Sequence, residues 1–429
     1  MSNDYDNSKK IKDSSEENNY SIIIINNKAT KGSNQQNDTN KKSNYNNKET
    51  NDNNSGSFVN SSEFAEDIYE THNHNQDYNI DQLICMAHDE EKYKRYNDSL
   101  KIYNNILEKF PKENNIIIYR GKALCLAYIN KINEALKFTE NEIKTNFSEK
   151  EMLNIKSEIY FINKDYNNSL NNINKCLKIN ENDEDTLRIK IRTLYYMNRD
   201  KNDLLNTINK LKQINKFNPN VFYYLGRISQ DEGKYNEAIN LYLKSLENKF
   251  ENIVEIYENL GVCYQINKEY KEALFYYEKY SIYIPKSEMY FNMGLCSIEL
   301  KLFKKANEYF TMSNSLEANN KETLNYKGIC YVNLNNEKKA ERNFLKCIEI
   351  DNNFHKAYLN IIKLYISKRK YDNAENMIKK ARNNCKKEPK SEEKNKYLNE
   401  LKQFEILNEK EREEFEEKKN CSCQECNIL

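Results

Sequence analysis

From about residue 80 onward the apolar and small residues of the chain recur in one repeated pattern. It is clearest where Phe222, Tyr223, Tyr224, Leu225 and Gly226 precede Gly233, Ala238, Ile239 and Tyr242. The pattern returns as Tyr257 to Gly261 with Ala273 and Tyr277, as Tyr290 to Gly294 with Ala306 and Phe310, and as Leu324 to Gly328 with Ala340 and Phe344. A diverged copy has Tyr358, Ala374 and Ile378. The places matching Ala238 run from Ser99 through Ala135, Ser169 and Leu204 to Ala374, at intervals of 36, 34, 35, 34, 35, 33, 34 and 34 residues. Nine units result, and periods of this length mark stacked repeats, each burying its apolar face only against its neighbours.

Small residues stand where two helices must approach closely: Gly226, Gly261, Gly294 and Gly328 in the first helix, Ala238, Ala273, Ala306, Ala340 and Ala374 in the second. Ser157 and Arg192 replace the glycine in two earlier units. Large residues are expected to fill the space between units: Tyr264, Tyr331 and Tyr365 late in first helices, Tyr103, Tyr242, Tyr277 and Phe310 in second helices. Pro111, Pro219, Pro285 and Pro389 fall at or next to unit ends, as a residue that breaks helix interiors should. The period and pattern over about residues 80–388 resemble the tetratricopeptide repeat, a pair of antiparallel helices. The resemblance implies an all-α fold, an α-solenoid forming a right-handed superhelix, with first helices lining the concave face.

Composition shapes the remainder. Only 38% of the 429 residues are hydrophobic and the mean hydropathy is −0.99, so the core must be thin or long stretches must lie outside it. Residues 1–78, rich in Asn, Ser, Asp and Lys, read as a disordered low-complexity tail. Residues 390–419 read as a charged capping helix on which Tyr397, Leu401 and Phe404 share one face, and residues 420–429 as a Cys-rich tail. A net charge of +1 gives no field to recruit nucleic acid, and no apolar run is long enough to span a membrane.

Catalytic chemistry is not written in the chain. It has no phosphate-binding glycine loop, no H-E-x-x-H and no assembled Cys-His or Ser-His set. The segments flanking the array are too polar to fold as an enzyme domain, so no enzyme, cofactor or small-molecule substrate is expected. Of the eleven cysteines, Cys125, Cys263, Cys296 and Cys330 share the tenth place of their units, and Cys176 and Cys347 the twenty-seventh. Equivalent places lie a whole repeat apart, which makes reduced core thiols of a cytosolic protein, with no metal, the expectation.

Two signals stand on the first-helix positions 2, 5, 6, 9, 12 and 13 that the resemblance assigns to the groove. Asn259, Asn292 and Asn360 occupy position 6 and resemble the asparagine ladder by which some arrays hold a peptide backbone. The alternative is that Asn is simply abundant in this chain. Val262, Leu295 and Ile329 at position 9, with Phe291 and Ile298, form an apolar group suited to a partner's helix or extended peptide, or to the array's own cap. The carboxylate clamp of chaperone-binding relatives is disfavoured, since Glu288 would repel a C-terminal carboxylate.

The sequence closes with Cys421, Cys423 and Cys426, then Asn427, Ile428 and Leu429, a pattern similar to the C-a-a-X prenylation signal at Cys426 with palmitoyl acceptors at Cys421 and Cys423. A zinc reading of the three cysteines lacks a fourth ligand. The preferred expectation is therefore a cytoplasmic scaffold that binds a protein in its groove and is tethered to a membrane by lipid. The alternative is a soluble subunit of a large assembly, resembling the repeat subunits of the anaphase-promoting complex or of ciliary trafficking complexes.

Overall fold

The computed structural model describes residues 78–198, 201–386 and 391–425, with side chains from residue 419 onward excluded. The tail expected over 1–78 thus lies almost wholly outside the described residues, as do Pro389 and Cys426 to Leu429. The fold is all-α, an α-solenoid of nine helix pairs among the described residues, followed by one long helix. The chain divides into two compact units between Lys216 and Phe217.

The first unit holds four pairs: α1 (Ile80–Lys92) with α2 (Tyr96–Lys109), α3 (Ile116–Tyr128) with α4 (Ile132–Phe138), α5 (Glu149–Ile162) with α6 (Tyr166–Ile179), and α7 (Glu184–Met197) with α8 (Lys201–Ile214). The helix begun by α4 widens into a π turn over Thr139–Ile143 before its last turn, and a notch of about 440 Å³ opens beside it, lined by Leu100, Lys122, Leu126 and Phe138. The second unit holds five pairs: α9 (Pro219–Asp231) with α10 (Tyr235–Glu247), α11 (Ile253–Ile266) with α12 (Tyr270–Tyr283), α13 (Ser287–Glu299) with α14 (Phe303–Leu316), α15 (Lys321–Asn333) with α16 (Glu337–Ile350), and α17 (His355–Ser367) with α18 (Tyr371–Cys385). The long helix α19 (Glu392–Glu425) closes it. It runs without a break past residue 419, so the boundary expected there between cap and tail is not a change of backbone conformation.

Helix ends follow local chemistry. Ser148 caps α5 and receives Glu151 in return, a reciprocal capping box, and Pro219 takes the first turn of α9, where it forfeits no intrahelical bond. Each turn within a pair needs one left-handed residue, and only Gly233, at φ +76°, is a glycine. The same place is filled by Lys94, Asn130, Lys164, Asn198, Lys268, Lys301, Asn335 and Arg369. The turn is held by bonds such as Lys268 N to Gln265 O at 3.0 Å and Glu269 N to Tyr264 O at 2.9 Å, the Schellman pattern that satisfies the last carbonyls of the first helix.

Within a pair, packing turns on large and small residues sixteen positions apart. A Cβ at Gly226 would lie 2.8 Å from the Tyr242 ring, and one at Gly294 2.6 Å from the Phe310 ring; Gly261 faces Tyr277 and Gly328 faces Phe344 in the same way. In two units whose first helix lacks glycine the aromatic is absent, Ser157 going with Ile173 and Ile362 with Ile378, all buried; in the first pair Ala87 stands sixteen positions before Tyr103. The aromatics of the second helices lie over the glycine of their own unit and, as expected, also reach the next one: Phe310 stacks on Tyr326 with ring centres 5.6 Å apart, and Tyr277 shares a cluster with Met293 and Cys296. Tyr103 reaches the following unit, over Gly121, and Tyr365 reaches the preceding one, its hydroxyl donating to Glu341 at 2.7 Å. Where the ring is tyrosine, its hydroxyl donates to a glutamine twelve residues earlier: Tyr242 to Gln230 and Tyr277 to Gln265, both at 2.6 Å. Opposite Phe310 and Phe344 those places hold Ile298 and Val332, which offer no acceptor and meet no hydroxyl.

The fourth pair corrects another expectation. Its left-handed residue, Asn198, lies seven positions after Ile191, the same distance as from Ser157 to Lys164 or from Gly261 to Lys268. Fully buried Ile191 thus takes the glycine place, and Arg192 stands one position on, toward the inner face.

Candidate functional site

On the inner face, position 5 meets position 2, 6 or 9 of the next unit at Arg120, Tyr223, Phe291 and Asn325. In the first unit of the chain this seam is ionic. Arg120 holds Glu158 through Nε at 2.7 Å and Nη2 at 2.9 Å, and Arg192 donates to the same carboxylate at 3.2 Å while its guanidinium lies 4.2 Å from the Phe161 ring. Glu158 is buried. Burial alone would push its carboxyl up, but Arg120 and then Arg192 and Arg188 outweigh it and hold the pKa down at about 2.

In the second unit the seam is mixed. Tyr223 donates to Glu255 at 2.7 Å and accepts from Arg227 at 2.9 Å. Phe291 meets Tyr326 edge-on with ring centres 5.5 Å apart, and Asn360 donates its amide to Asn325 at 2.9 Å. The three position-6 asparagines therefore share a register but not an environment. Asn259 is half-buried and donates back to the Glu255 carbonyl at 2.7 Å, Asn292 is half-buried, and Asn360 is buried and engaged by Asn325.

The apolar set stands at the margin of the core. Phe291, Leu295, Ile298 and Tyr326 are half-buried against Ala306, Phe310 and Cys330; Val262 borders the cluster around Tyr277 and Met293, and Ile329 the cluster around Phe344 and Tyr358. Farther along, α19 covers the last unit. Tyr397 stacks on His355 at 3.8 Å, Leu401 is fully buried, and Phe404 lies 5.5 Å from the Lys363 ammonium at position 9, whose pKa burial lowers. The strip from Val262 to Ile329 remains half-exposed beside it. Tyr326 and Asn325 were missed in the sequence because each matters through a residue one repeat away, not through its own helix.

The cysteines of the tenth place, Cys125, Cys263, Cys296 and Cys330, are buried free thiols, and burial pushes each up to about 12. Among the described residues no group of three His, Cys, Asp or Glu side chains could hold a metal ion, and no helix is long and apolar enough to cross a membrane.

The tetratricopeptide repeat family matches at residues 151–183, 219–252, 254–280 and 322–354, each spanning a helix pair or most of one. The chain carries tetratricopeptide repeats. Tetratricopeptide arrays are generally scaffolds for protein interaction. No curated protein matches the chain. Among solved structures, YrrB, described as a TPR protein with an unusual peptide-binding site, is 20% identical, with 43% of this chain and 95% of that one covered and a TM-score of 0.40. The APC/C hetero-tetramer Cut9–Hcn1 is 16% identical, covering 71% of this chain and 59% of that one at 0.46. MamA is 24% identical, covering 36% and 91% at 0.35.

Proposed function

We propose that the chain is a non-enzymatic scaffold whose tetratricopeptide inner face, over residues 254–333, holds a peptide or helix of a partner protein. The observation that carries this reading is the half-exposed strip of Val262, Phe291, Leu295 and Ile329, which the cap leaves uncovered while it closes the last unit. A folded chain that keeps such residues together on one face gains by covering them with a partner. Asn259 and Asn292 flank the strip half-buried and can bond a partner backbone, Asn259 through its amide oxygen because its Nδ2 already donates to the Glu255 carbonyl, whereas Asn360 is buried against Asn325. A photo-crosslinking residue placed at 262 or 295 should capture the partner in cells, and one placed at exposed Phe275 on a second helix should not. Capture from 275 alone would refute the inner face.

A lipid tether at Cys426, supported by Cys421 and Cys423, is the second part of the proposal. One prenyl chain gives reversible attachment, and a second acyl group makes it stable. Intact mass of the protein isolated from its own cells tests it, with an unmodified Cys426 as the refuting result. The alternative, a subunit of a large assembly, is favoured by one feature: Ile282, Leu316 and Ile350, near the ends of successive second helices, are 68%, 52% and 41% exposed and supply an outer apolar line for lateral packing. Gel filtration of a native extract separates the two.

A further inference from the structure

The inner face over residues 254–333 is charged with one sign only. Positions 2, 5, 6, 9, 12 and 13 of α11, α13 and α15 hold the carboxylates of Glu255, Glu258, Glu288, Glu299 and Glu322 and not one Lys, Arg or His. In the whole chain acids and bases are balanced, 66 against 67, so a face this uneven departs from its surroundings. Off this face, some carboxylates of the same units are paired, as Glu278 is with Lys305 at 2.7 Å and Asp351 with Lys321 at 2.5 Å. Glu258, Glu288, Glu299 and Glu322 form no ion pair among the described residues; Glu258 and Glu288 have the longer-range field of Lys286, whose ammonium lies 5.7 Å from the Tyr280 ring, and Glu322 that of Lys321, which is itself paired with Asp351. Glu258 and Glu299 are half-buried, where an uncompensated charge costs more than in open water.

The apolar strip runs beside these carboxylates. Packed helices lie about 8–10 Å apart, and an extended chain in the polyproline-II conformation has three residues per turn at about 3.1 Å each, so every third residue of such a segment lies on the same side and comes to the next unit's position 9. Resting on the inner-face reading above, we infer that the occupant is an extended segment with apolar residues at every third place and lysines or arginines between them. Its aliphatic side chains cover Val262, Leu295 and Ile329, and its cations supply the charge that Glu258, Glu288 and Glu322 lack. Charge complementarity of this kind sets partner choice and association rate, and it weakens with salt.

Fluorescence anisotropy with the full-length chain tests this with three labelled twelve-residue probes, four repeats each of Leu-Lys-Ser, Leu-Glu-Ser and Ser-Lys-Ser. The Leu-Lys-Ser probe should bind at least about ten-fold tighter than either other, and 0.5 M salt should shrink its lead over Leu-Glu-Ser. Glu258→Gln with Glu288→Gln and Glu322→Gln should abolish that lead while helical circular dichroism is retained. Equal binding of the Lys and Glu probes, equal binding of the Ser-Lys-Ser probe, or indifference to the triple substitution would overturn the inference. If the Glu probe binds tighter and crosslinks from position 295, the basic partner is wrong while the inner-face reading stands; if no probe binds, both fall.

Discussion

The sixteen-residue pairing of large and small side chains makes a sharp prediction at Gly294 and Phe310. A methyl group on Gly294 would stand 2.6 Å from Cε1 and Cζ of Phe310, a fully buried ring itself packed against Phe291 and Tyr326. Ordinary contact needs about 0.8 Å more, and a buried ring can give that only by pushing the paired helices apart. Overpacking of this kind costs about 1–3 kcal/mol, against which the better helix propensity of alanine returns about 0.5–1 kcal/mol, so Gly294→Ala should destabilise by about 1–2 kcal/mol. In a Phe310→Ile background, which copies the Ser157–Ile173 and Ile362–Ile378 pairs, the ring is gone and only the propensity gain remains. There Gly294→Ala should be neutral or stabilise by up to about 1 kcal/mol, a reversal of sign and a coupling of about 1–3 kcal/mol. Urea unfolding of the four proteins followed by circular dichroism measures it, with unchanged m-values required for the comparison. A cost for Gly294→Ala that is equal in both backgrounds, within about 0.5 kcal/mol, would refute the pairing.

Phe310→Tyr should destabilise by about 1–3 kcal/mol because its hydroxyl meets Ile298 where Tyr277 meets Gln265, and adding Ile298→Gln should recover much of the loss in thermal melts. Lys268→Gly, at φ +64° in a turn that Lys268 itself holds through a main-chain hydrogen bond, should stabilise by about 1 kcal/mol and raise the melting temperature. Glu158 has a folded pKa depressed to about 2, so its contribution is complete above the ordinary carboxylate range near 4.5 and is lost as pH falls toward 2. Glu158→Gln should therefore destabilise at pH 7 by about 2–4 kcal/mol, because Arg120 and Arg192 lose the buried carboxylate they share, and should flatten the acid limb of the stability curve. A thiol reagent at pH 8 should label exposed Cys85 in the folded protein and spare Cys263, Cys296 and Cys330 until denaturant is added; early labelling of the latter by peptide mapping would contradict their burial.

Much of this architecture is legible in the order of residues. Gly226, Gly261, Gly294 and Gly328 followed at constant distance by Ala238, Ala273, Ala306 and Ala340 reveal the helix pair, because the constraint is local: a short turn of constant length brings two helices together at one narrow place. The same locality makes Tyr277 and Gln265 readable as a bonded pair once their twelve-residue spacing is noticed. Tertiary structure decided what happens across units. Asn360 reads in the sequence like Asn259, yet it is buried against Asn325 because the seam joins residues 35 apart on helices that no short turn relates. Arg192 reads as a replaced glycine until left-handed Asn198, seven positions after Ile191, gives that place to Ile191 and leaves the guanidinium beside Glu158. Packing also decided which part of the inner face stays open, since α19 lays Tyr397 and Phe404 against the last unit and leaves Val262 to Ile329 half-exposed. Helix periodicity states which side of a helix is apolar, and only the placement of neighbouring helices determines whether that side meets the chain itself or is left for a partner.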